Sequence, residues 1–128
     1  MFSAPQITVY AKDIRRSMEF YLGLGFTEAF RYAPHGEQVH VELVLDGFRL
    51  GIADIVAARA DHGLDPNLAG QAVEVVLWCT DTDTDAAFAK LTGAGAPALS
   101  APHDWLDDLR LAWVAGPDGN PVQLAGRR

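Results

Sequence analysis

The chain has 128 residues, 49% of them apolar, one cysteine and a formal net charge of −7. That is the size of one domain with a sizeable core; it excludes a disordered chain, an internal disulfide and, with no basic run beyond the pairs Arg15–Arg16 and Arg127–Arg128, a nucleic-acid surface. No apolar stretch approaches the length of a membrane span, and Met1-Phe2-Ser3-Ala4-Pro5 lacks the basic and apolar blocks of a secretion signal, so the expected location is the cytoplasm.

In chain order, Gln6-Ile7-Thr8-Val9-Tyr10-Ala11 alternates polar and apolar, the period of a half-buried strand. Asp13 then stands as a helix N-cap, Ile14, Met18, Tyr21 and Leu22 recur at helical spacing, and Gly23 and Gly25 end the helix. Phe26 to Tyr32 reads as a second strand and Pro34-His35-Gly36 as a turn. Val39, Val41, Leu43 and Leu45 interleave with Gln38, His40, Glu42 and Val44 in a third strand. Asp46-Gly47 is a hairpin signal, and Phe48 to Ala53 is a fourth strand. Residues 55–70 hold Gly63, Pro66, Asn67 and Gly70, and read as a connector with a short helical turn.

The pattern then begins again. Ala72 to Cys79 is a strand, with Cys79 read as a small buried hydrophobe. Asp81-Thr82-Asp83 starts a helix, Ala86, Ala87, Phe88 and Leu91 form its apolar face, and Gly93 and Gly95 stop it. A short strand near Pro97–Leu99 gives way to a loop through His103 and Trp105. Leu109 to Ala115 is a strand, Pro117-Asp118-Gly119-Asn120 a turn, and Val122 to Ala125 the last strand.

Strand–helix–three strands therefore occurs twice. Asp46-Gly47 with Leu50 and Ile52 is matched by Asp118-Gly119 with Val122 and Leu124, and Gln6 on the first strand by Glu74 on the fifth. The expected fold class is α+β: one domain over residues 1–128, made of two βαβββ modules. The first covers about 4–54, the connector 55–70, and the second about 71–126.

A sheet covered on one face by its helix must meet something with the other. Two such sheets related by a pseudo-two-fold are expected to form a concave mixed sheet around a cavity. Alternation then sorts the side chains. Ile7 and Val9 go under the helix, while Gln6, Thr8 and Tyr10 point to the concave side. Val75, Leu77 and Cys79 are core, while Glu74, Val76 and Trp78 face the cavity. His40 and Glu42 share the side opposite Val39, Val41 and Leu43. This half-polar face is the expected ligand site.

Two segments carry a family resemblance. Ile7-Thr8-Val9-Tyr10-Ala11-Lys12-Asp13-Ile14, with Ser17, Phe20-Tyr21 and Leu24-Gly25-Phe26, resembles the opening of the glyoxalase / bleomycin-resistance / extradiol-dioxygenase superfamily, the vicinal-oxygen-chelate proteins. Val114-Ala115-Gly116-Pro117-Asp118-Gly119-Asn120-Pro121-Val122-Gln123-Leu124 resembles its closing strand–turn–strand. The resemblance implies paired βαβββ modules, often in a homodimer. It also implies a divalent metal held by four side chains, at positions matched here by Gln6, Gly51, Glu74 and Gln123. Gly51 has no side chain, no His falls at any of the four, and Glu74 is the single charge, so the set makes a poor metal site. The nearest resemblance is to the metal-free members that sequester antibiotics by stacking aromatic rings and a few polar anchors.

The reading that follows is a small-molecule binder without a cofactor, taking an aromatic, cationic ligand through Gln6, Tyr10, His40, Glu42, Glu74, Trp78, Trp105, Arg110 and Trp113. Five of them have a plainer alternative. Trp78 can be core, Trp105 can anchor its loop, Glu42 and Glu74 can pair with Arg49 or Arg110, and His40 can be a hydrogen-bonded structural residue. Asp104, Asp107 and Asp108 are a solvated cluster or a rim that steers cations. The rival function is a metal-dependent lyase, isomerase or dioxygenase using Gln6, Glu74 and Gln123 with a fourth ligand, the ion polarising a substrate oxygen. A third is a scaffold whose cavity its own side chains fill.

Overall fold

The structure is a computed structural model and describes residues 1, 3–69 and 73–128. It divides into two compact units, Met1–Leu68 and Ala69–Arg128. The first unit runs β1 (Ile7–Ala11), α1 (Ile14–Gly23), β2 (Thr27–Tyr32), β3 (His40–Leu45), β4 (Phe48–Asp54) and α2 (Ile55–His62). The second runs β5 (Val75–Trp78), α3 (Thr84–Gly93), β6 (Ala98–Trp105), β7 (Leu109–Ala115) and β8 (Pro121–Arg127). This is an α+β fold in which the βαβββ order occurs twice. Ala72, where the sequence places the start of the fifth strand, and Gly70, in the connector, lie outside the described residues. Among the described residues no helix is long and apolar enough to cross a membrane.

Each unit builds a four-stranded mixed sheet, in the orders β1-β4-β3-β2 and β5-β8-β7-β6. The β1–β4 and β5–β8 pairs are parallel and the others antiparallel. The registers repeat as well. Ile7 pairs with Leu50 as Val75 pairs with Val122, and Thr8 pairs with Gly51 as Val76 pairs with Gln123. The two sequence matches drawn from Asp46-Gly47 and from Gln6 are therefore one structural equivalence.

Local chemistry sets the helix limits. Asp13, Asp54 and Asp83 cap the three N-termini, accepting from the amides of Arg16, Ala57 and Ala86 at 3.1, 2.8 and 2.7 Å. α1 and α3 end identically. Gly25 and Gly95 take φ of +109° and +106°. Phe26 N–H bonds Tyr21 C=O while Gly25 N–H bonds Leu22 C=O, and Ala96 and Gly95 do the same with Leu91 and Thr92. At Asp46 and Gly47 both φ values are positive, the geometry of a tight hairpin turn.

Each core lies between its helix and sheet. In the first unit Val9, Val41, Leu43, Leu50 and Ile52 are buried beneath Ile14, Met18 and Tyr21. In the second, Val75, Ala112, Val114, Val122 and Leu124 fill the corresponding layer. Several expectations are corrected here. Ile7 is 43% exposed, since it opens β1 at the sheet edge. Residues 55–62 form a two-turn helix, α2, closed by Gly63 at φ +66°. In α3 the inward row is Thr84, Ala87, Phe88 and Leu91, and Ala86 is exposed. His103 and Trp105 lie on β6, not in a loop. Pro102 has no N–H for the ladder, and the strand absorbs it with register shifts between Ala98 and Ser100 and between Ser100 and His103.

Candidate functional site

In the first unit the face away from α1 is read directly from the pairing. One row is Thr8, Gly51, Glu42 and Phe30; the next is Tyr10, Ala53, His40 and Tyr32. Arg49 and Gln6 fall on the same face by alternation. Glu42 is the hub. One carboxylate oxygen contacts His40 Nε2 at 2.9 Å and accepts from Gln6 Nε2 at 3.3 Å, and the other accepts from Arg49 Nη1 at 2.9 Å. The hydrogen bond from His40 above all, then those from Gln6 and Arg49, holds the Glu42 carboxyl below the ordinary carboxylate value, against the opposing effect of burial. Glu42 is therefore an ionised but compensated carboxylate, and the expected free negative charge for a cationic ligand is not at this position.

Gly51 lets this cluster close. A Cβ there would lie 2.5 Å from Thr8 Oγ1 and 3.4 Å from His40 Cε1. The side chains of Thr8 and His40 thus cover the position at which the family resemblance asks for a metal ligand.

The second unit presents a different face opposite α3. Its rows are Val76, Gln123, Trp113 and Ser100; Trp78, Ala125, Leu111 and His103; and Arg127, Leu109 and Trp105. All three tryptophans of the chain share it, which fixes the facing of Trp113. Trp78 and Trp105 are each 54% exposed. Trp113 is half-buried, donates from Nε1 to a carboxylate oxygen of Glu74, and stacks on His103 with ring centroids 5.9 Å apart and planes 17° apart. The Arg127 guanidinium lies over the Trp78 ring, 5.4 Å from its centroid, and pairs with Asp108.

Arg110 is not on this face. It shares the helix side of β7 with Ala112 and Val114, and bonds Asp85 of α3 at 2.7 and 2.8 Å and Asp104 at 3.1 Å. Asp85 first, then Asp104, raises the pKa of its guanidinium above the ordinary arginine value. Asp104 also pairs with Arg128, so most of the acidic cluster near Trp105 is neutralised by the chain's own arginines. Cys79 is partly buried, and that burial pushes its thiol pKa up, away from a nucleophile's.

The structure thus brings Gln6, His40 and Glu42 together in the first unit, with Tyr10 on the same face, and Glu74, Trp78, Trp105 and Trp113 on one face in the second. Sequence reasoning missed Arg127 and His103 as the stacking partners of Trp78 and Trp113. It ended the last strand at Ala125, and two more residues of alternation bring Arg127 onto the face of Trp78. Phe30 and Tyr32, 49% and 52% exposed beside the His40–Glu42 cluster, were also missed; the second strand's own alternation held that signal.

The donors at the family's ligand positions do not suit a divalent ion. Gly51 offers no atom and its space is taken, Gln6 is bonded to Glu42, and Glu74 to Trp113. Among the described residues no three His, Cys, Asp or Glu side chains gather into a group able to hold a metal.

The sequence model of the Glyoxalase/Bleomycin resistance protein/Dioxygenase superfamily matches residues 3–124. Among solved structures, the chain is similar to a glyoxalase/bleomycin resistance protein/dioxygenase from Nocardioides, at 24% identity and a TM-score of 0.73, over 99% of this chain and 86% of that one. It is similar to TioX from Micromonospora sp. ML1, at 19% identity and a TM-score of 0.71, over 98% and 100%. It is also similar to lactoylglutathione lyase from Agrobacterium tumefaciens, at 20% identity and a TM-score of 0.68, over 98% and 95%. At these identities the likeness is one of fold. No curated protein matches the chain.

Proposed function

The chain belongs to the glyoxalase/bleomycin resistance/dioxygenase superfamily, and from that premise we propose that it is a metal-independent binder of a small planar aromatic molecule, acting by sequestration. The observation that carries this reading is the gathering of Trp78, Trp105 and Trp113 on one sheet face, with two of the three residues more than half exposed. An exposed aromatic face offers area and a π surface to a flat ligand at little cost in conformational entropy. Glu74 and Gln123 supply the polar anchors beside the rings. The first unit contributes a hydrogen-bonded cluster rather than a reactive group: Glu42 is bonded to Gln6, His40 and Arg49. In this role the chain breaks no bond. It lowers the free ligand by mass action once protein exceeds both the ligand and the dissociation constant.

The test is quenching of tryptophan fluorescence against a panel of planar compounds that includes DNA-damaging antibiotics. The expected result is a saturable response in part of the panel, weakened roughly fivefold by Trp78→Ala, the loss that about 1 kcal/mol of stacking represents. A flat response across the panel rejects the reading.

A further inference from the structure

On the second unit's open face, two of the three tryptophan rings already carry a planar nitrogenous group of the chain itself. The Arg127 guanidinium lies 5.4 Å from the centre of the Trp78 ring. The His103 imidazole lies parallel to Trp113 at 5.9 Å. Both partners are held from behind, Arg127 by Asp108 and His103 through Nδ1 on the Ala101 carbonyl at 2.8 Å. They differ in how firmly they are seated. Trp113 is also held at its ring edge, through Nε1, by Glu74, whereas Arg127 is a long side chain, 69% exposed, over a tryptophan that is itself 54% exposed. An exposed guanidinium in that setting is held only weakly, by a surface ion pair and one exposed cation–π contact.

We infer that Arg127 is a built-in competitor on the Trp78 ring, and that the ligand class able to replace it is a planar, delocalised cation such as an amidinium or a protonated heteroaromatic amine. The inference rests on the binding role proposed above and deepens it, by naming the charge and shape of the ligand. The chemistry of the site is the argument. A flat cation is what the ring faces now, so the same quadrupole attraction serves an arriving one. The carboxylate that now balances Arg127, Asp108, is released as the guanidinium leaves and supplies the counter-charge. Glu74 stands on the same face, exposed, with one carboxylate oxygen bonded to Trp113 and its charge available as a further acceptor. A planar anion meets none of this: it would need Arg127 to turn from Asp108 and would still face Glu74.

The experiment is a fluorescence-anisotropy titration of proflavine, a flat tricyclic cation, with the wild-type chain, Arg127→Ala and Arg127→Lys, using fluorescein as the flat anion. Lysine keeps the ion pair to Asp108 and loses the stacked plane. Arg127→Ala is expected to bind proflavine about two- to fivefold more tightly than wild type, the factor that an exposed cation–π contact is worth, and Arg127→Lys by a smaller factor, since its ammonium keeps Asp108 and part of the attraction to the ring; both gains should vanish when Trp78→Leu is added. Fluorescein should show no saturable binding in any of them. Wild-type binding that neither variant tightens, or that either weakens, overturns the inference and leaves the binding role standing. Tightening in Arg127→Ala alone assigns the effect to charge and overturns the stacking competitor. No saturable response to proflavine in any protein overturns the inference, and the binding role is then decided by the wider panel of planar compounds.

Discussion

Gly51 and Glu42 show how single residues set the chemistry of the first sheet. The constraint at Gly51 is space, because a methyl group there would sit 2.5 Å from Thr8 Oγ1. Gly51→Ala is expected to destabilise the fold by about 1–3 kcal/mol, and adding Thr8→Ala, which removes the conflicting oxygen, should return a large part of it. Urea midpoints of wild type and the two variants read this; equal midpoints for wild type and Gly51→Ala would show that the sheet yields freely. Glu42 gives a pH dependence whose sign is set by its depressed pKa. The stabilisation is complete above the ordinary carboxylate value of 4.5 and is lost as pH falls through the lower folded value. Glu42→Gln is expected to be less stable than wild type near neutrality and to lose less of its stability between about pH 5 and 3. Asp85, lowered by Arg110, keeps part of the acid limb in both proteins. Thermal melts across that range check it, and parallel acid limbs would contradict it.

Among the elements, α1 and α3 end in the same left-handed glycine cap, and this gives a contrast between neighbours. Gly95 holds φ +106°, so Gly95→Ala is expected to cost about 1–2 kcal/mol. Gly93 lies in the last helical turn with open space where a Cβ would go, so Gly93→Ala should be neutral or stabilising by up to about 1 kcal/mol. Melting temperatures that move the same way for both would refute the cap. Such caps were legible in the sequence because they are local: an aspartate before an apolar row, a glycine after it. Strand facing was legible where one side is polar, as on β3 with His40 and Glu42 opposite Val41 and Leu43. It was not legible on β7, where Leu111 and Ala112 face opposite ways and both are buried. With no polar contrast, the alternation of β7 assigns neither Arg110 nor Trp113 to a face. β6 was hidden for a different reason. Its two register shifts destroy the period-two signal around Pro102, so a strand of eight residues read as a short strand and a loop.

At the scale of the whole molecule, one topology used twice has been given two chemistries. In the first unit the equivalent positions close on each other through Gln6, Glu42, His40 and Arg49; in the second they carry an aromatic face with Glu74 bonded to Trp113. The repeated order and register were within reach of the sequence, since turns and alternation recur. Among the partners of the acidic residues, Arg49 was legible for Glu42, one hairpin away; Gln6 for Glu42, Trp113 for Glu74 and Arg110 for Asp85 were not, since those pairs meet only between elements far apart in sequence. The account's central claim is that the tryptophan face binds a planar ligand without the help of a metal. Its most direct test is calorimetric titration of exhaustively chelated protein with a planar aromatic compound selected from the fluorescence panel. The account predicts one saturable site that survives chelation, is unchanged by added divalent ions, and is weakened by Trp78→Ala. Binding that appears only after one equivalent of a divalent metal is restored would contradict it.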